Sequence, residues 1–439
     1  LAMSIPTLQG LQTALSGLLA DQQAMDVAGH NIANANTEGY SRQVAVLETN
    51  QAIPIPALSA ITGQGAQLGT GVTVETYTRI RNAYLDSQWR TQNSALGAAG
   101  TQAEELEQAQ SAFNEPSATG IASQLSVFWS AWSSLANSPT SGAAKEGVVA
   151  AGQRLATAFN QLSAQLSTIS AQATQQYEAR AGAAGEVADY ANQIAQLNVQ
   201  IKQAEQAGQP PNDMLDRRDL LIDKLSSLAQ VTVTTQPDGT DTIAFGDAAE
   251  PLVEGTTVNW PQTLTSAAGG QLGALLALTG PEGPLTTFQS ELDAVAASVA
   301  SSVNALHTAT PFFTGTTAAT LAVAVKAAEV QTSSTAAPGG NDVALAIAGL
   351  RGGVAEQGYS GLIGLVGSQV RGAQNEQANL QTTLTAIGNQ RQSVSGVSLD
   401  EEMTNLISFQ RGYQASARTL TAMDEMLETL IEHTGRAGL

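Results

Sequence analysis

A narrow apolar stripe at each end of the chain constrains the fold more than any other feature. Near the N-terminus, Leu8, Leu11, Leu15, Leu18, Met25 and Ile32 recur at alternating spacings of three and four, with Gln22 and Gly29 at the two remaining positions. That pattern is the seam of a coiled coil, not the broad face of a globular helix. From Leu8 to Ile32 such a helix is ~37 Å long at 1.5 Å per residue, too long and thin to bury itself, so it needs a partner. At the other end Leu399, Met403, Leu406, Tyr413, Ala417, Leu420, Leu427 and Ile431 repeat the spacing, broken by Gln410 and Asp424. Matching seams at opposite ends predict that the first and last helices pair.

Between them the chain reads as mainly α. Stripes run through Leu85–Phe113, Ile121–Leu135 and, as one very long helix, from Val148 to Ile201. Pro210, Pro211 and Asn212 turn the chain into a helix over Met214–Leu228. Further stripes follow over Leu285–Leu306 and Val366–Val394. Together these predict a long antiparallel helical bundle or coiled coil formed by both ends and the middle. Two β elements interrupt it. Gln43–Glu48 and Gly71–Thr78 alternate and form a short hairpin near the N-terminus, with Ile53-Pro54-Ile55-Pro56 as extended loop between them. A small inserted β subdomain occupies 231–269, turning at Pro237-Asp238-Gly239. The domain division expected is 1–45 plus 395–439 as terminal helix pair, 46–230 plus 270–310 and 362–394 as helical body, and 311–361 as a mixed region. Ser398 and Glu401 read as a capping box for the last helix.

Composition decides the partners that can be dismissed. Charged residues are 13% and aromatics 4%, against roughly 25% charged in ordinary soluble domains. Ala, Ser, Gln and Asn on the outer faces of long helices let other chains approach closely without burying unpaired charge. A net charge of -20 argues against nucleic acid and against anionic membrane surfaces. There is no cysteine, which excludes disulfides and thiolate chemistry. No run of about 18 apolar residues and no secretory leader is evident, so composition by itself reads as cytosolic.

No catalytic, cofactor-binding or metal-binding constellation emerges. His30, His307 and His433 are far apart and none begins a zinc-protease motif, so each reads as structural or solvent-exposed. Asp213, Asp216, Asp219 and Asp223 sit among Arg217, Arg218 and Lys224, which favours a salt-bridged helix surface over a metal cluster. Trp129 and Trp132 read as core. The amides of Asn31, Asn34 and Asn36 divide evenly between helix-end chemistry and bonding across subunits.

The two ends carry a resemblance. Residues 11–42, and above all Asn31-x-x-Asn34-x-x-Thr37-x-Gly39-Tyr40, resemble the N-terminal motif shared by flagellar rod, hook and hook-associated axial proteins. The run from Ser395 through Met403 to Arg418 resembles the C-terminal end of the first hook-associated protein family. Asn212 to Leu221 is similar to a mid-chain helix of that family. All three motifs in this order point to that family over hook, distal rod or second junction proteins. A secreted coiled-coil adhesin or effector is the rival from another class; it would need an outer binding surface rich in aromatics or charge, to which 4% aromatic gives little support.

The resemblance implies a structural protein and not an enzyme. It implies extracellular placement in the flagellum at the hook–filament junction, after export without a cleaved signal peptide. The partners implied are copies of itself, the hook protein, the second hook–filament junction protein, and a cytosolic export chaperone at the C-terminal helix. The assembly interface expected comprises the two seams together with Asn31, Asn34, Asn36, Thr37, Gly39 and Tyr40. A lone chain offers the outer faces of the seams no partner, so residues 1–45 and 395–439 are expected to order only on assembly.

Overall fold

The computed structural model describes residues 5–55, 66–335, 337 and 339–434. The chain opens with α1 (Ile5–Asn34), followed by β1 (Gln43–Thr49), β2 (Ile53–Ile55), β3 (Ala66–Leu68) and β4 (Val72–Arg79). β1 and β4 pair antiparallel, with Gln43 opposite Arg79 and a register shift between Val46 and Leu47. Ile53-Pro54-Ile55 is not loop, as its prolines suggested; it pairs antiparallel with β3 in a second two-stranded sheet, and Pro56 lies outside the described residues. A two-stranded ribbon has only edges, and an edge position tolerates the missing proline N–H.

The helical body comprises α2 (Ala83–Phe113), α3 (Ile121–Asn137), α4 (Gly142–Ala181), α5 (Glu186–Gln206) and α6 (Asn212–Leu228). Asn82 starts α2 by accepting from the amides of Tyr84 and Leu85 at 3.0 and 3.2 Å, and Asn114 stops it in the left-handed region. Ser141 caps α4. The single long helix expected over 148–201 is broken at residues 182–185. A Cβ on Gly185 would lie 2.5 Å from the carbonyl oxygen of Arg180, so α4 ends and α5 begins where only glycine fits. The stripe continues across the break because both helices bury apolar faces, which periodicity cannot distinguish from one helix.

Next come β5 (Val231–Thr235), β6 (Asp241–Phe245), β7 (Val253–Glu254) and β8 (Thr257–Val258), a four-stranded antiparallel meander in sequence order. Its Ile243, Phe245 and Leu252 share one core with Val187, Ile194, Ile201, Ile222 and Leu225 of α5 and α6. After α7 (Gly270–Thr279) and α8 (Pro284–Leu306), the mixed region resolves into β9 (Phe313–Thr314), β10 (Ala322–Val323) and α9 (Asp342–Ala348). A second and larger core lies among α2, α3, α4, α8, α9 and α10 (Val354–Ser395). Phe128 is its centre, with ring centroids 5.0 Å from Trp129, 5.7 Å from Phe312 and 5.4 Å from Phe313. α10 runs antiparallel to α2: Trp89 lies beside Gly388, and Gly100 beside Gln377.

The chain ends in α11 (Leu399–Thr434), separated from α10 by residues 396–398. The predicted capping box is only half formed. The amide of Glu401 approaches the Ser398 hydroxyl at 3.5 Å, but the Glu401 carboxylate accepts from Arg42 at 2.7 Å instead of closing the box. A charge-assisted bond outcompetes a neutral amide donor.

Candidate functional site

α1 and α11 lie side by side, and their contacts fix the register. A Cβ on Gly10 would meet Cε of Met423 at 2.6 Å, and one on Gly17 the hydroxyl of Ser416 at 3.1 Å. Gly412 backs against the Asp21 carboxylate, whose pKa burial raises. Asn31 hydrogen-bonds Glu402 at 3.1 Å. As one residue number rises the other falls by the same step, so the pair is antiparallel.

The face of α1 turned to α11 is not the leucine stripe. Gly10, Ala14, Gly17, Asp21, Ala24, Ala28 and Asn31 hold the alternating three-and-four spacing, and the three alanines and Asn31 are buried. Small residues let the two backbones approach closely. Leu15 and Leu19 are 43% and 49% exposed, while Leu11, Leu18, Met25 and Ile32 are half-buried. The side chain of Leu8 lies outside the described residues. On α11 the inward positions run Glu402, Leu406, Phe409, Tyr413, Ser416, Leu420, Met423 and Leu427, with Ala417 half-buried beside them. Leu399, Met403 and Ile431 lie outward at 49%, 58% and 72% exposure, with Ile407 at 46%.

The asparagine motif closes the body end of this pair. Asn31, 1% exposed, uses every hydrogen-bonding position its amide has. Nδ2 donates to the Gln43 carbonyl at 2.8 Å and to Glu402 at 3.1 Å; Oδ1 accepts from the Gln43 amide at 2.9 Å and the Tyr40 hydroxyl at 2.8 Å. Asn31 therefore has nothing left to offer a neighbouring chain. Burial and the nearby carboxylates Asp213, Asp216 and Glu402 keep the Tyr40 phenol firmly protonated. Asn34 donates to the His30 carbonyl at 3.0 Å and accepts from the Thr37 hydroxyl at 3.1 Å, a helix-end role. Gly39 takes φ +81 against Leu220. Asn36 and Thr37 stay exposed.

The aspartates of α6 do not pair with Arg217 or Lys224, which point to solvent. Side chains one position apart on a helix diverge. Asp216, Asp219 and Asp223 instead share one inward face and meet arginines from distant segments. Arg79 contacts Asp216 and Asp219 at 2.8 and 2.9 Å; Arg90 contacts Asp219 and Asp223 at 3.1 and 2.7 Å. Arg81 and Arg391 bring in Asp86 at 2.9 and 2.8 Å. Burial alone would raise the Asp219 carboxyl, but Arg81, Arg79 and Arg90 outweigh it and hold it below the ordinary carboxylate range. Sequence reasoning missed Arg79, Arg81, Asp86, Arg90 and Arg391. Their only signal is rarity: in a chain with 18 Lys and Arg among 439 residues, three arginines between 79 and 90 stand out.

His30 faces Asp213 at 3.4 Å on the surface. His307 is buried, with Nδ1 at 2.6 Å from the Thr310 carbonyl and Nε2 accepting from the Gln331 amide at 2.8 Å. The side chain of His433 lies outside the described residues. Among the described residues no cluster of His, Asp and Glu is arranged to hold a metal ion, and no helix is long and apolar enough to cross a membrane.

Family models match three parts of the chain. The family model for the flagellar hook-associated protein FlgK helical domain matches residues 106–266. Those for flagella basal body rod protein and for the flagellar basal body rod FlgEFG protein C-terminal region match 11–40 and 389–432, the two halves of the terminal pair. Flagellar hook-associated protein 1 of Bacillus subtilis (strain 168) is 30% identical over 98% of this chain and 99% of its own length. The protein of that name from Escherichia coli (strain K12) is 28% identical over 64% of this chain, spanning 52% of its own length. The flagellar hook junction protein FlgK from Burkholderia pseudomallei aligns in structure over 50% of this chain and 43% of its own, at TM-score 0.45 and 27% identity.

Proposed function

The chain belongs to the flagellar hook-associated protein 1 family, and from that premise we propose that it is a structural subunit of the hook–filament junction. Copies join through the outer faces of the α1–α11 pair. One observation carries this reading: α1 meets α11 through alanine and glycine and leaves Leu15 and Leu19 close to half exposed. Two neighbouring leucines left open beside a pair that closes through small residues are a surface another chain can cover. Leu399, Met403 and Ile407 extend the apolar surface on the α11 side. Asn36, Thr37 and the outer seam positions meet neighbouring copies, while Asn31 holds each subunit together internally.

The residues support a structural and not a catalytic role. On the same reading the pair also contacts the hook protein on one side and the second junction protein on the other, and a cytosolic export chaperone covers α11 before assembly. The protein then sits outside the cell, exported without a cleaved signal peptide. The domain division into terminal pair, helical body and β region is part of this proposal: the pair assembles and the body points outward.

Deletion of the gene in its host, followed by electron microscopy of basal structures and assay of the medium for flagellin, tests the placement. Complete hooks without filaments, with flagellin lost to the medium, are expected. Missing hooks would assign the protein to the rod or hook, and normal filaments would reject an axial role. Complementation with Leu15→Glu is expected to fail although the variant folds, since a half-exposed side chain adds charge only to the free face.

A further inference from the structure

Two stretches of chain cross between the terminal pair with its hairpin and the body, residues 79–81 and 395–398, and residues 40–43, which join α1 to β1, lie against both. They lie hydrogen-bonded side by side. The Arg42 amide donates to the Ser395 carbonyl at 2.8 Å, and the Ile80 amide donates to the Arg42 carbonyl at 2.8 Å. Beneath them the charged side chains close a ring. Asp219 meets Arg81 at 3.1 Å, Arg81 meets Asp86 at 2.9 Å, and Asp86 meets Arg391 at 2.8 Å. Arg391 meets Asp223 at 2.9 Å, Asp223 meets Arg90 at 2.7 Å, and Arg90 returns to Asp219 at 3.1 Å. Three arginines alternate with three aspartates, so the ring is neutral, and its side chains are only 9–17% exposed.

We propose that this ring is a clamp that fixes the direction in which the terminal helix pair leaves the body. Its members come from the β4–α2 link, the first turns of α2, the middle of α6 and the end of α10, so it ties together the body side of both crossings: Arg81 follows β4 directly and Arg391 sits one turn before α10 ends. A desolvated ion network is a poor source of stability, because the cost of stripping water offsets the attraction. Its better-attested use is to specify geometry: every member has two partners at fixed bearings, and any rotation of the neck breaks several bonds together. Arg391 is the critical member. Its Nε and Nη2 bridge two carboxylates on different helices while its guanidinium stacks 4.8 Å over Trp89, so α10 cannot turn about α2 without losing all three contacts. The clamp also sets which way the free leucine face points, and it holds in the isolated chain, whether or not the junction reading is correct.

The absence of cysteine allows clean placement of two spin labels, at the exposed positions Thr404→Cys on α11 close to the neck and Ser130→Cys on α3. Pulsed electron paramagnetic resonance then reads the angle of the pair as a distance. One narrow distribution is expected for the otherwise unchanged chain, and a roughly twofold broadening for Arg391→Met, with the thermal transition of the body retained. Arg391→Lys keeps the charge but not the two-pronged bridge, and it should broaden the distribution as well, which covers the case in which Arg391→Met does not fold. A broad distribution in the unchanged chain, or equal widths in all folded variants, overturns the clamp.

Discussion

Removing the amide of Asn31 should unlock the neck end of the helix pair while leaving the body folded. Asn31→Ala leaves the Gln43 amide and carbonyl, the Tyr40 hydroxyl and the Glu402 carboxylate without their partner. Gln43 is buried, and each stranded backbone group costs about 1–3 kcal/mol, so those two groups alone destabilise the local structure by about 2–6 kcal/mol. At the lower bound local opening becomes roughly thirtyfold more frequent. Asn31→Asp discriminates further. It keeps the shape and both acceptor contacts, yet sets a second carboxylate 3.1 Å from that of Glu402. Repulsion at an effective dielectric of about 20 is on the order of 5 kcal/mol, so the near-isosteric change is the more damaging at neutral pH. A proton shared between the two carboxylates relieves it. The variant's folded-state carboxyl pKa is therefore raised, and the stability it lacks at neutral pH returns as the pH falls through that value. Hydrogen exchange followed by mass spectrometry on peptides covering 28–43 and 398–406 reads the effect, with body peptides as internal control. Exchange at the neck within threefold of the unchanged protein in Asn31→Ala, or a milder effect in Asn31→Asp than in Asn31→Ala at neutral pH, would refute the reasoning.

Three further outcomes follow from the packing. Gly17→Leu forces α1 away from Ser416 and should cost about 1–3 kcal/mol of pair stability, seen as loss of α-helical circular dichroism without a change in the melting of the body. Phe128→Ala, at the centre of the aromatic cluster, should lower the stability of the body by about 3–5 kcal/mol in urea titration; a loss under 1 kcal/mol would show that the site collapses to fill the cavity. Burial raises the Glu105 carboxyl above its ordinary 4.5, and one of its oxygens has no partner. A raised acid favours the folded state below that ordinary value and loses the benefit as the pH climbs through the folded one. Glu105→Gln should accordingly raise Tm at pH 7 and leave it unchanged below pH 4.5, and a lowered Tm at pH 7 would contradict this.

Much of the architecture was legible because it rests on local rules. The β1–β4 hairpin declares itself by alternation, and the turn of α5 into α6 by Pro210-Pro211. The places where reading failed share a cause, which is that a one-dimensional pattern does not say which element lies opposite. The break at 182–185 falls between two stretches that each bury one stripe, so the period runs on across the break. The aspartates of α6 were matched to basic residues beside them in sequence, although neighbours in sequence on a helix face different ways. Their true partners come from more than 120 residues away, as in Arg90 with Asp223, and no local rule joins them. The two halves of the clamp were visible only as an arginine-rich stretch and an aspartate-rich stretch.

The leucine stripe of α1 is the most instructive of these cases. A three-and-four repeat of leucines marks a face that wants burial, and pairing it with the matching seam at the other end of the same chain was the economical inference. α11 instead lies against the alanine and glycine face, and Gly17 brings the backbones close enough that even a methyl group would press on Ser416. Such a face buries little apolar area. A leucine side chain contributes about 1.5–3 kcal/mol on full burial, and Leu15 and Leu19 retain close to half of that potential in the single chain. The weaker face closes the subunit on itself, with the Asn31 knot supplying the direction that small residues cannot. Leu15 and Leu19 stay open, so the rest of their burial free energy is released only when another chain arrives. Terminal helices built this way are marginal alone and firm in company. The order expected in the free protein is therefore graded, with protection at 28–43 and 398–406 where the polar knot holds, and rapid exchange over 9–20 and 413–427. Uniform protection along both helices in the monomer would mean that the small-residue face suffices by itself, and the leucine stripe would then need another explanation.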